Sequence, residues 1–81
     1  MSEADHPDLV RIPARDLVPG RLIERAVRPA EPWRTVLVTV REVRKGRDAT
    51  GAYYRVFLAG DTVTPRAFTL RPRDSVRGLP E

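Results

Sequence analysis

Apolar and polar residues alternate along most of this chain, and the alternating runs are short. In Thr35-Val36-Leu37-Val38-Thr39-Val40-Arg41 every second residue is valine and β-branched residues dominate, the pattern of a strand with one face in a core. That strand is expected over 33–44, with Val36, Val38 and Val40 pointing inward. Alternation resumes over 52–58, where Tyr54, Val56 and Leu58 share one face and Tyr53, Arg55 and Phe57 the other. Between them lies Arg-Lys-Gly-Arg-Asp-Ala-Thr-Gly (44–51), so the two strands read as a hairpin with a long, mobile basic tip. Ala59-Gly60-Asp61 then reads as a tight turn into a strand over 62–71. Pro65, which has no N–H to donate, makes that strand an edge or bulges its start, with Phe68 and Leu70 as its core residues.

Before the valine strand, two further strands are expected, at 9–12 and 21–27. Between them, Asp16-Leu17-Val18-Pro19-Gly20 forms a turn in which Leu17 plugs the end of the core. Pro29 and Pro32 mark a loop into Trp33, which is expected to plug a barrel end with its indole N–H on a loop carbonyl. A last short strand falls at 75–77. Five or six short antiparallel strands in so small a chain hide their edges best by closing into a barrel.

The fold class predicted is therefore all-β, a small five- to six-stranded antiparallel barrel over 9–78. A flexible acidic arm at 1–8 precedes it, and a frayed tail at 79–81 comes after it. The segments Asp16-Leu17-Val18-Pro19-Gly20-Arg21-Leu22-Ile23, Thr35-Val36-Leu37-Val38 and Tyr54-Arg55-Val56-Phe57-Leu58 are similar to the layout of SH3-like small barrels. In particular the chain resembles short uncharacterised proteins of that kind from actinobacteria and their phages. The class includes nucleic-acid binders, methyl-lysine or proline-rich peptide readers and passive assembly modules. This chain lacks the clustered acidic loop and paired aromatic groove of the peptide readers.

Eighty-one residues carry one domain, and composition then narrows the chemistry. Cysteine is absent, which excludes disulfides, thiol nucleophiles and thiolate metal sites, and the single histidine, His6, sits in the arm. The acids of the body stand singly among arginines, an arrangement suited to ion pairs and not to general acid catalysis. No glycine has the spacing of a phosphate-cradling loop. The expectation is a protein that is not an enzyme, with no cofactor and no metal. No run approaches the length of a membrane span and no signal peptide is visible, so a cytoplasmic protein without membrane contact is expected.

The charge is more informative than its total. The net +4 conceals an arm at −3 and a body that sets fifteen bases, fourteen of them Arg, against seven acids. Such a body suits a polyanion, although so strong a preference for Arg over Lys is also the habit of a GC-rich genome. Alternation puts Leu37, Thr39 and Arg41 on the outer face beside Tyr53, Arg55 and Phe57. Arg66 or Arg71 joins from the third strand in a register that Pro65 leaves open. Rings interleaved with guanidinium groups suit single-stranded nucleic acid, because bases stack on the rings while arginines neutralise phosphates. The candidate nucleic-acid-binding residues are Arg41, Arg44, Lys45, Arg47 and Arg55 for phosphates and Tyr53 for stacking, with DNA or RNA as partner and weak sequence selectivity. The alternative is an assembly module whose Leu37 and Phe57 face docks an acidic protein surface or a second copy of the chain as a homodimer.

Overall fold

The computed structural model describes residues 8–80. Six strands form among them: β1 (Val10–Pro13), β2 (Leu22–Ala26), β3 (Thr35–Asp48), β4 (Gly51–Leu58), β5 (Ala67–Leu70) and β6 (Ser75–Gly78). A 3-10 turn, Ala14–Asp16, comes directly after β1. The strands make one antiparallel sheet in the order β1-β6-β2-β3-β4-β5. The fold is all-β as expected, but the sheet is not closed into a barrel: β1 and β5 are its two edges. The expected acidic arm and His6 lie outside the described residues, except for Asp8.

β3 organises the molecule because it is long enough to serve two partners. Its first part pairs with β2 (Ile23 opposite Val38), and its second pairs with β4 (Val43 opposite Val56). The inner face carries the core, built from Ile12, Ile23, Val38, Val40, Val56, Leu58, Leu70 and Val76. Removing these side chains from water is the main drive to fold a chain with no disulfide. Leu17 is buried and packs with this core, as expected of a plug.

The other end is closed by a different residue than the one expected. Trp33 is 73% exposed, whereas Val63 is 3% exposed. The segment 59–66 makes no tight hairpin. It runs across the molecule, and the Thr64 N–H donates to the Val27 carbonyl at 2.9 Å, which carries Val63 into the core at that end. Strand pairing begins only at Ala67, beyond Pro65, whose peptide bond to Thr64 is cis. The loop bearing Trp33 is closed on itself instead. Val27 N–H donates to Arg34 O at 2.8 Å, and the Glu31 carboxylate pairs with both Arg28 and Arg34.

β6 reaches both β1 and β2 at one residue, Gly78, which lies opposite Val10 and Ile23. A side chain there would collide with the Leu22 carbonyl oxygen and come within 2.7 Å of the Ile12 Cδ1. Just past it, the Leu79 N–H donates to Leu22 O at 3.0 Å, so the segment read as a frayed tail starts from a tethered residue. Among the described residues no helix is long and apolar enough to cross a membrane.

Candidate functional site

Strict alternation through β3 would turn Glu42 and Arg44 into the core and Val43 out to solvent. The chain resolves this conflict with a β-bulge: Val40 lies opposite Leu58, but Glu42, two residues on, lies opposite Phe57. A bulge sets two residues against one and re-aims the side chains beyond it. Arg41 and Glu42 therefore both serve the outer face, and Val43 returns to the inner face, where it packs on the core.

Downstream of the bulge every side chain is on the opposite face from the one simple alternation gives. Arg44 lies outside, opposite Arg55. Lys45 and Arg47, opposite Tyr54 and Ala52, fall on the inner-face side. The six expected binding residues are thus divided. Arg41, Arg44, Tyr53 and Arg55 share the outer face, while Lys45 and Arg47 are on the other side of the ribbon.

The outer face centres on a ring that the expected set omitted. Phe57, half-buried, has the guanidinium carbons of Arg44, Arg41 and Arg55 at 5.3, 5.9 and 5.9 Å from its centroid. Arg55 is oriented by a 3.0 Å hydrogen bond to the Thr69 hydroxyl on β5. Glu42, directly opposite Phe57, is the acid of this group and is paired with Arg44. A shallow groove runs beside the ring, lined by Arg41, Arg55, Phe57, Pro65 and Arg66. Phe57 was visible in the sequence as an outward aromatic between arginines; its apolarity suggested a protein contact and so kept it out of the binding set.

The basic tip is neither long nor loose. β3 continues to Asp48 and β4 begins at Gly51, so only Ala49 and Thr50 connect them. Gly51 holds φ +119, a conformation that favours glycine. Arg71, just beyond β5, clamps this turn: its guanidinium donates to both Asp48 carboxylate oxygens at 3.1 and 3.0 Å and to the carbonyls of Gly51 and Ala52. The Thr50 N–H and hydroxyl also donate to Asp48 Oδ1. The Arg71 bonds, and after them those from Thr50, hold the Asp48 carboxyl far below the ordinary carboxylate range, and Asp48 in turn raises Arg71.

Tyr53 lies on the same face, four residues from Phe57 along β4. Its phenol end covers Gly46 directly opposite, in the space where any other residue would place its Cβ. The Arg71 guanidinium carbon stands 5.9 Å from the Tyr53 ring. Leu37 is also on the outer face, but its cross-strand partner is Glu24 on β2, three residues before the first β4 pairing at Val40. Leu37 and Phe57 therefore share the outer face without being cross-strand partners.

A second arginine–phenylalanine pair occupies the inner face. Arg25, on β2, stacks over Phe68, on β5, at 3.8 Å. The two strands are far apart in the sheet order, and the contact spans the concave side. Burial lowers the pKa of Arg25 from its ordinary value, but a guanidinium stays charged. Phe68 was expected in the core and packs against it, whereas nothing in local alternation pointed to Arg25 as its cover.

Among the described residues no three His, Asp or Glu side chains gather as a metal-ligand set. No family model, curated protein or solved structure matches the chain.

Proposed function

We propose that this chain is a non-enzymatic nucleic-acid-binding module, a half-open variant of the SH3-like barrel working in the cytoplasm. It holds DNA or RNA mainly through phosphates, on the outer face of β3 and β4, with weak sequence selectivity. The observation that carries the reading is the group of guanidiniums from Arg41, Arg44 and Arg55 around Phe57, with Glu42 as the nearby acid. Glu42 offsets the charge of Arg44, so the excess positive charge rests on Arg41 and Arg55, and a polyanion offsets that excess.

Weak selectivity follows from the donor set. Arginine can read guanine, but the chain contains no Asn or Gln, the side chains that pair bidentately with adenine. Contacts to phosphate position a ligand without reading it.

The test is a titration of labelled single-stranded and duplex DNA and RNA at two salt concentrations, repeated with Arg41→Ala/Arg55→Ala. Phosphate binding requires affinity to fall as salt rises, and the double variant to bind more weakly with a shallower salt slope. Absence of binding at low salt, together with a dimer on sizing, would overturn the reading in favour of the assembly module.

A further inference from the structure

We infer that the ligand of this face is a single strand laid along β4, with one base on Phe57 and another on Tyr53; the inference rests on the nucleic-acid reading above. The two rings project from the same side of one strand, Tyr53 opposite Gly46 and Phe57 opposite Glu42. Four residues of extended chain separate them by about 13 Å. At about 3.4 Å per stacked nucleotide, that distance is bridged by about four base steps, and by fewer if the strand is stretched.

Arg55 lies between the rings on the same face, and each ring has further cations at its rim. Arg71 flanks Tyr53, and Arg41 and Arg44 flank Phe57. Along the outer face of β4 the order is Tyr53, Arg55, Phe57, a cation between two rings, which matches a phosphate between two bases in a single strand. Arg71 and Arg44 are already paired with Asp48 and Glu42. A duplex presents its phosphates but keeps its bases stacked on one another, so it could use the arginines and not the rings.

The spacing is held before any ligand arrives. Phe57 is anchored in the three-stranded part of the sheet, between β3 and β5. At the other end, the Arg71–Asp48 clamp fixes the turn that carries Tyr53, and Gly46 provides the flat seat for its ring. Pre-ordered platforms reduce the ordering cost of binding. The guanidiniums near Phe57 lie 5.3 to 5.9 Å from its centroid, compared with 3.8 Å for the stacked pair Arg25–Phe68, so they do not seal the ring.

The test measures affinity for thymidine homo-oligonucleotides of about two to ten nucleotides and for a duplex of matched charge. Single strands are expected to bind more tightly than the duplex, with affinity rising until about five nucleotides span both rings. Phe57→Leu and Tyr53→Leu, which keep apolar bulk, should each weaken single-strand binding about 5- to 150-fold and leave duplex binding nearly unchanged. Tyr53→Phe, which keeps the ring, should restore it. Gly46→Ala, which unseats the Tyr53 ring, should act like Tyr53→Leu.

Equal affinity for strand and duplex, both lost in Arg41→Ala/Arg55→Ala, would overturn the base-stacking inference and leave phosphate binding standing. Equal loss of binding to both ligands in leucine variants that keep the native circular dichroism would show that the rings do not select a single strand and would overturn the inference. No salt-dependent binding to either ligand would overturn both readings together.

Discussion

Two arginine–phenylalanine groups stand on opposite faces of one sheet, and their surroundings give them different work. On the inner face, Arg25 lies 3.8 Å over Phe68, half-buried, and joins β2 to β5 across the concave side. On the outer face, Phe57 sits among guanidiniums more than 5 Å from its centroid, beside an open groove. The first pair is one cation committed to one ring, and its loss is felt as stability. In the second, several cations share one ring and retain capacity for an anion. Residue type alone does not separate these cases; the face of the sheet does.

The contrast is most severely tested by placing charge on the inner face. Val56→Asp buries a carboxylate at a position that is 0% exposed, and the domain should unfold, read as lost β-signal in circular dichroism. A folded variant would mean the core face is misassigned. Phe68→Ala removes a partly buried ring and should cost about 2–3 kcal/mol in denaturant unfolding, with nucleic-acid affinity of the folded fraction unchanged. Arg25→Ala should cost about 1–2 kcal/mol, from the lost ring contact and the lost cover of its aliphatic stem, again without changing binding.

The smallest expected effect concerns the clamped turn. The folded-state pKa of Asp48 is depressed, so its contribution is present above the unfolded carboxylate value of about 4 and is lost as pH falls toward the lower folded value. Between neutral pH and pH about 5 the turn should hold, and below about 4 the protection of its amides, measured against their intrinsic exchange at the same pH, should fall. Because Asp48 is exposed, added salt should weaken the same effect. An Asp48→Asn variant should show low protection at all these pH values.

Much of the fold was legible because alternation is a local property. Val38, Val40, Val56, Leu58 and Leu70 are in the core for the reason their spacing gives. The hairpin of β3 and β4 was legible too, as were both faces of β4; the faces of β3 beyond the bulge were not, because one extra residue there inverts every β3 side chain after it. The warning was present in the sequence: alternation continued past Val40 asks the core to accept Glu42 and Arg44. Arg41, Arg44, Tyr53 and Arg55 reach one face, while Lys45 and Arg47 are turned away from it.

Long-range replacements left no local trace. Val63 supplants Trp33 as an end plug through a loop that crosses the molecule to Val27, and no short window of sequence connects those residues. The Arg71 clamp is likewise non-local. A run of Arg, Lys, Gly and Asp suggested a mobile finger, and it is held still by an arginine just beyond β5. Pro65 gave the correct hint that its strand is an edge, since β5 ends the sheet order.

The most direct measurement is the salt dependence of affinity for one labelled oligonucleotide, made in parallel on the native chain, Arg41→Ala/Arg55→Ala and Arg25→Ala. Loss of two phosphate contacts should reduce the log–log slope by about 1.4 for a single strand, while Arg25→Ala should keep the native slope. Equal slopes in all three proteins, or a shallower slope in Arg25→Ala alone, would contradict the assignment of binding to the outer face.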